Sequence, residues 1–407
     1  MSGQSNKFYI PSLDGMRAVA VLIVFFSHSG LKFIPGGFGV TVFFFLSGYL
    51  ITTILRREHE RSNRIDFKKF YMRRVLRIWP PFYMVLFLAL AVSWAAGVYA
   101  EPAGLHLQAF LSQFFHFSNY HNIQYDNVYM AFGTEVYWSL AVEEHFYLMF
   151  PLLYLCLQRL NLRPSQQASI FLGICSLVLL WRCLLVFGMG ATYARVFFAT
   201  DTRLDSIMFG CILAVVGNPA LEQDRQLPER IVKYILFPIG LALLMVSLLV
   251  RTDAFRDTIR YTIQGVALFP IFIAVIRFPN WGLFKILNWN WVRFIGVLSY
   301  SLYLIHFVVI KTLHATAPSL GMAGTAAVSL VLSLALSYAI YRLAEVPAAK
   351  LKQRFSTHQD NPVVPSLSFS QEIDAEQMIS TRRDDRTVPS PSFRLKETSP
   401  KRQPHGQ

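Results

Sequence analysis

The chain has 407 residues, of which 54% are hydrophobic and only 15% charged, and it carries a formal net charge of +14. A soluble domain carries about 25% charged residues. Here the charges cluster and the intervals between them are long and apolar. This excludes an ordinary soluble globular protein and predicts an all-α, polytopic membrane bundle, because each crossing needs roughly 20 apolar residues. The basic excess is not a nucleic-acid signature. Much of it lies in one block between Arg56 and Arg77, and most of the rest flanks apolar segments or falls in the tail, as membrane topology explains.

The first sixteen residues are polar and contain Pro11 and Asp14 but no basic leader, so a cleaved signal peptide is not expected. Ten segments of membrane length follow, centred in 17–34, 40–55, 80–99, 135–156, 168–188, 204–217, 232–250, 261–278, 295–313 and 323–341. The span at 204–217 is the shortest. With a cytoplasmic N-terminus, the inner loops hold the basic block together with Arg159, Arg163, Arg225, Arg230, Lys285 and Arg293. The outer loop near 100–133 has no lysine or arginine. That asymmetry predicts cytoplasmic N- and C-termini. Cys156, Cys175, Cys183 and Cys211 fall in or beside apolar segments without paired or metal-like spacing, so they read as small core residues; no metal site is expected.

The first span reads LDGMRAVAVLIVFFSHSG (13–30), apolar except for a few groups that include Arg17 and His28. Eleven residues of helix leave these two side chains about 20° apart in azimuth and about 16 Å apart along the axis. They therefore share one face. That suits an elongated site with an anion clamp at its mouth and a base at its end; a snorkelling arginine with a hydrogen-bonded core histidine fits equally. The second span, GGFGVTVFFFLSGYLI (36–51), has small residues at helix-packing spacing and places Ser47 inside the membrane.

The basic block ends in FYMRRVLRIWPPFY (70–83). Arg73, Arg74 and Arg77 lie about one turn apart, and Pro80 and Pro81 mark the start of the third span. A cationic cluster beside aromatics suits a phosphate-bearing ligand, or the anionic lipid of the membrane surface. The fourth span, TEVYWSLAVEEHFYLMFPLLY, carries Glu143, Glu144 and His145 consecutively. Three successive residues fan over about 200°, so they cannot all snorkel one way; they line a polar interior or form a structural buried ion pair.

Later signals are weaker. TDTRLDSIMFG places Arg203 and Asp205 at the outer end of a span, where a local ion pair is the default. IGVLSYSLYLIHFVV (295–309) buries Ser299, Tyr303 and His306, the last two on one face. Ser47, Arg73, Glu144, Arg203, Asp205, Ser299, Tyr303 and His306 are thus candidate cavity-lining groups. His106, His116 and His121 lack metal-ligand spacing. From 349 to 407 the chain turns Ser- and Pro-rich with mixed charge, which predicts a disordered cytoplasmic tail after a membrane domain at 1–348.

In order, LDGMRAVAVLIVFFSH, FFFLSGYLI, RRVLRIWPPFY, SLAVEEHFYLMFPLL, TRLDSIMFG, IGVLSYSLYLIH and the closing AEVP resemble the acyltransferase-3 family of integral membrane acyltransferases, over roughly residues 8–348. The resemblance implies a ten-helix bundle of the cytoplasmic (inner) membrane. Such a bundle moves an acyl group, commonly acetyl, from cytoplasmic acyl-CoA as co-substrate to a hydroxyl of a carbohydrate or glycolipid acceptor. Its Arg-ten-residues-His motif matches Arg17 and His28, its Arg-x-x-Arg motif matches Arg74 and Arg77, and its acidic fourth-helix position matches Glu143. Arg17, Arg74 and Arg77 would then hold the CoA phosphates. His28 would serve as base or acyl-carrying nucleophile, with an ordinary imidazole pKa of about 6.5 suited to pH 7. Glu143 would orient His28 or stabilise its charged form. Some relatives carry a fused extracytoplasmic domain; a tail stands here instead, so both direct transfer and handover to a separate transferase partner stay open. A proton-coupled transporter or flippase is the rival reading, since carriers also bury Glu, Arg and His, and a non-catalytic acyl-CoA sensor is a third. The sequence does not fix the acceptor, the acyl group or the oligomeric state.

Overall fold

The computed structural model describes residues 9–31, 33–95, 103–126, 128–222 and 226–352. They all fall within one compact unit, Met1–Pro362. The described residues are 83% helical. The proposed tail from 353 onward lies outside the described residues.

The helices follow in chain order. α1 is Pro11–His28, with Pro11 setting the first turn; α2 is Gly36–Ser62 and α3 Phe67–Ala95. Two short helices, α4 (Ala103–Phe114) and α5 (Ser118–Tyr125), fold the segment expected as an outer loop. A 3-10 turn at Thr134–Tyr137 leads into α6 (Trp138–Arg159). Then come α7 (Pro164–Cys183), α8 (Tyr193–Phe198), α9 (Thr200–Val215), α10 (Glu229–Ile231), α11 (Phe237–Leu249), α12 (Asp253–Asp257) and α13 (Arg260–Arg277). α14 (Phe284–Leu287), α15 (Asn290–Thr316), α16 (Gly321–Ile340) and α17 (Val346–Lys352) close the fold, the last two joined by a π-helical turn at Tyr341–Glu345.

Among the described residues, eight helical segments are long and apolar enough to cross a membrane: Gly36–Ser62, Phe67–Ala95, Thr134–Arg159, Pro164–Gly188, Glu229–Leu249, Arg260–Arg277, Asn290–Thr316 and Pro318–Lys352. The other two segments expected to span are α1, whose 18 residues include Asp14, Arg17 and His28, and α9, whose 16 residues reach about 24 Å. Both are lined with buried residues and lie among longer helices, so neighbouring protein shields their polar groups. The outer helices behave oppositely. Leu177 and Leu180 of α7, Leu249 of α11 and Val331 of α16 are exposed, as lipid-facing side chains are, while the small stripe Thr325, Ser329, Ser333 and Ser337 of α16 is buried.

One expected boundary is corrected. Pro80 and Pro81 do not open the third span: α3 runs through both, so the basic block and the span form one continuous helix. Prolines are tolerated inside such helices where other groups take up the freed backbone. The prolines free the carbonyls of Leu76 and Arg77; next to them the Tyr300 hydroxyl donates to the carbonyl of Ile78 at 2.9 Å.

Two backbone contacts set the central packing. A Cβ on Gly48 of α2 would lie 2.0 Å from the Ile207 carbonyl oxygen, and one on Gly210 of α9 would lie 2.0 Å from that of Phe45. Likewise a Cβ on Gly296 of α15 would meet the Asp14 carbonyl oxygen of α1 at 1.8 Å. No larger residue fits without prising these helices apart. Gly210→Leu should therefore lower the thermal midpoint of the purified protein, overpacking costing about 1–3 kcal/mol or more. Gly173→Leu, where a Cβ meets nothing within 4 Å on exposed α7, should leave it unchanged. Scanning fluorimetry in detergent checks both.

Candidate active site

The basic end of the bundle gathers groups from α1, α3, α6, α15, the π-helical turn and α17. Arg17 Nη1 donates to Asp14 Oδ1 at 2.9 Å, and Asp14 Oδ2 also accepts from the Tyr9 hydroxyl at 2.7 Å. Arg293 Nη2 of α15 donates in turn to Tyr9 Oη at 3.0 Å. Arg77 has Arg17, Glu345 and Asp14 as charged neighbours, and Arg74 has Arg77, Arg73 and Glu144. Among the described residues neither Arg74 nor Arg77 forms an ion pair. The Arg74 guanidinium lies over the rings of Phe70 and Tyr147, 5.7 and 5.8 Å from their centroids, and its buried Nε has no partner. Arg77 is exposed although protein surrounds it, so it borders a space that water can enter. Lys352 adds a further positive charge beside Arg73, Arg74 and Arg77.

Arg73 belongs elsewhere. Its Nη2 pairs with Glu58 Oε2 of α2 at 2.9 Å and it is buried, so it fastens α3 to α2 rather than lining the space.

Deeper in the bundle, Ser47 Oγ donates to Glu143 Oε1 at 2.8 Å, and the Tyr147 hydroxyl lies 3.1 Å from Glu143 Oε2 and 3.0 Å from Ser47 Oγ. Ser47, Glu143 and Glu144 each keep some accessible surface. Glu144 Oε1 is buried without a partner. Glu143 numbers Arg77 and Arg17 among its charged neighbours, which links this acidic pair to the basic end.

At the far end of α1, His28 Nδ1 lies 2.9 Å from His306 Nε2 of α15. The His28 ring also packs on Phe307, with centroids 4.6 Å apart. His306 is fully buried, and its Nδ1 faces the carbonyl oxygens of Tyr303 at 2.7 Å and Leu302 at 3.1 Å. Glu143 is bound to Ser47 and Tyr147, so the group that touches His28 is His306 and not, as the sequence suggested, Glu143. The outer flank carries an ion pair between Lys311 Nζ and Glu135 Oε1 at 2.9 Å.

The profile of an acyltransferase domain, acyltransferase-3, matches residues 10–342. The chain belongs to the acyltransferase-3 family. The O-acetyltransferase OatA of Staphylococcus aureus strain NCTC 8325 / PS 47 is 35% identical over 313 residues, covering 74% of this chain and 51% of OatA. A further S. aureus protein, from strain COL and provisionally named an O-acetyltransferase, is 34% identical over 319 residues, covering 75% of this chain and 51% of that protein. The chain thus spans about half the length of the curated relatives it matches. No solved structure matches significantly.

In this acyltransferase-3 chain the remaining candidates prove to be closed off. Arg203, Asp205, Ser299, Tyr303 and His306 are all buried and do not line an accessible cavity. Arg203 and Asp205 do not pair with each other. Asp205 takes a bidentate pair from Arg182 of α7, at 2.9 and 2.7 Å, and Arg182 also donates to the Thr202 carbonyl and to Thr262 Oγ1, each at 2.7 Å. Arg203 sits instead in an aromatic box. Its guanidinium lies 3.9 Å from the ring centroid of Tyr261 and 5.3 to 5.7 Å from those of Phe197, Phe44 and Trp138, and its Nη2 donates to Thr41 Oγ1 at 3.1 Å. Two residues apart on a helix, Arg203 and Asp205 point about 200° from each other, which forbids the local pair. Tyr303 is fastened to the start of α6, donating to the Val136 carbonyl at 2.8 Å and lying 2.6 Å from Ser139 Oγ.

Sequence reasoning missed Tyr147, Glu345 and Lys352. Tyr147 follows Glu143 by one helical turn, a spacing that could have found it. Glu345 stood in the quoted AEVP segment without a role; here it accepts from Ser301 and faces the arginines. Lys352 fell beyond the expected domain boundary, whereas α17 continues to it. Because Arg182 and Asp205 are wholly buried, Asp205→Ala should cost about 3–5 kcal/mol by leaving an uncompensated guanidinium. Asp253→Ala breaks only the exposed pair with Arg256 and should leave stability unchanged. Thermal unfolding of the two variants separates these outcomes.

Proposed function

We propose that the chain is an O-acetyltransferase of the cytoplasmic membrane. It would take acetyl-CoA at the basic end of the bundle and pass the acetyl group to a hydroxyl of a carbohydrate or glycolipid acceptor near His28. The observation that carries this reading is the pair of unpaired guanidiniums, Arg74 and Arg77, which protein surrounds and which stand with Arg17 and Lys352 about an accessible space. Unpaired charges inside protein cost several kcal/mol each. An anion of matching charge offsets that cost, and arginine presents the forked donors that phosphates take up. The placement of the basic end toward the cytoplasm follows the positive-inside tendency.

His28 lies on the same face of α1 as Arg17, about three turns further along the helix, and keeps accessible surface, as a group that meets substrate must. Acting as base, it accepts the acceptor hydroxyl proton while that oxygen bonds to the thioester carbonyl carbon. The carbon–sulfur bond then breaks, and the proton passes from the imidazole to the departing sulfur. Glu143 has a supporting place between these ends. Held by Ser47 and Tyr147, it balances the charge of Arg17 and Arg77.

Membranes holding the protein should incorporate label from [14C]acetyl-CoA into acid-stable, base-labile ester. A carrier would transfer none, and a sensor would bind label without forming ester. His28→Ala should abolish transfer while the protein still inserts. Arg74→Ala and Arg77→Ala should each raise the KM for acetyl-CoA by about 10–100-fold, the equivalent of one charged hydrogen bond. Unchanged ester formation by the His28 variant, or unchanged KM in both arginine variants, would defeat this reading.

A further inference from the structure

The histidine pair contains a directional chain of hydrogen bonds. The Leu302 and Tyr303 carbonyl oxygens can only accept, so His306 Nδ1, at 3.1 and 2.7 Å from them, carries the proton. A neutral imidazole has one N–H, so His306 Nε2 is left as an acceptor. The nitrogen facing it at 2.9 Å, His28 Nδ1, must then donate. His28 in turn keeps its lone pair at Nε2, which has no partner among the described residues. The surroundings enforce this order. His306 is sealed from solvent and His28 is not. The facing elements supply no carboxylate in contact with either ring. The neighbouring charged group is Lys311, itself paired with Glu135, and the close ring is Phe307.

We propose that His306 is a positioning residue that holds His28 in the Nδ1–H tautomer, making Nε2 the atom that accepts the substrate proton. This deepens the acyl-transfer reading and rests on it. Free histidine prefers the opposite tautomer, with the proton on Nε2, which offers no base on that side. The backbone of α15 thus reaches the reacting nitrogen through two rings, in the way a carboxylate fixes the tautomer of a catalytic histidine elsewhere. Because the carbonyls at its root carry no full charge, the relay orients His28 without adding a negative group to the membrane interior. The proton path is that of the acyl transfer: onto Nε2 from the hydroxyl, and off Nε2 to the thiolate as the carbon–sulfur bond breaks, while the Nδ1 proton stays in place.

The test uses the full chain in lipid nanodiscs with 15N-labelled histidine. The His28 signals are assigned by their loss in His28→Ala. Wild type should show His28 with Nδ1 protonated and Nε2 bare. His306→Phe keeps the ring volume but removes the acceptor, and should turn His28 to the Nε2–H form. His306→Gln places an amide oxygen near the former Nε2 and should retain the Nδ1–H form. In the [14C]acetyl-CoA assay the Phe variant should lose about 100-fold in kcat with KM for acetyl-CoA unchanged, and the Gln variant should recover at least a tenth of wild-type rate. A wild-type spectrum with His28 protonated at Nε2 would overturn the relay, whether or not the variants fold. So would a Phe variant with wild-type kcat, or Phe and Gln variants equally impaired with raised KM, which is the mark of a merely structural role. A wild-type protein that moves no label defeats the acyl-transfer reading itself, so the two failures are told apart.

Discussion

The seam between α1 and α15 is the constraint on which the site depends. Gly296 admits the Asp14 carbonyl to a distance that no side chain would allow, and Gly15 does the same for Leu287 of α14, just before α15. With the backbones in contact at that end, the two helices rise together. Asp14, Arg17, Tyr9 and Arg293 are tied at the bottom, and His28 meets His306 at the top. Thirteen residues separate Gly15 from His28 and ten separate Gly296 from His306, so a small change in crossing angle would be amplified along about three to four turns. The site is therefore built on the most rigid contact available to it, helix backbone against helix backbone, and not on loops.

The bundle holds three kinds of interior guanidinium, and the contrast separates structure from function. Arg182 is paired through both terminal nitrogens: a bidentate carboxylate, a backbone carbonyl and a threonine hydroxyl take up Nη1 and Nη2, and only its Nε lacks a partner among the described residues. Arg203 is boxed by four aromatic rings, each desolvated cation–π contact worth up to about 2 kcal/mol, and no accessible space adjoins it. Arg74 and Arg77 have no ion pair among the described residues; Arg74 lies over the Phe70 and Tyr147 rings. Their carboxylates, Glu144 for one and Glu345 for the other, stand close enough to moderate the charge but do not pair with it. On the proposed reading an anion would complete them.

The parts of this arrangement that lie along one helix were legible in the sequence. The shared face of Arg17 and His28 follows from helical periodicity alone, as do the one-turn spacing of the α3 arginines and the placing of Glu143 at membrane depth. What was not legible runs between helices. His28 and His306 are 278 residues apart, and no local pattern says that one histidine ends on the other. Asp205 finds Arg182 on α7 because the helical twist turns Arg203 away, a pairing that composition cannot choose. Local rules also misled where the membrane relaxes them. Two prolines in a row read as a helix boundary, yet α3 passes through them. The α4 and α5 segment read as an outer loop, although the apolar residues of α4 recur at helical spacing.

Transfer between a thioester and a hydroxyl also requires that water not take the acceptor's place, and the surroundings of His28 bear on this. A base that activates a sugar hydroxyl will activate water equally well, so selectivity rests on what can reach Nε2. The Phe307 ring packs against the imidazole on one side, and the sealed His306 occupies Nδ1. That leaves one nitrogen and one direction of approach. An acceptor with enough polar surface to bind at the outer end can fill that approach, whereas a lone water gains little by entering a site walled by phenylalanine. The anion site stands about 16 Å away along α1, by the rise of the helix, so the donor can be anchored without bringing its hydration shell to the reacting carbon. On the proposed reading, separating the charged clamp from the base along one helix would give the binding energy of the phosphates and the dryness of the acyl centre together.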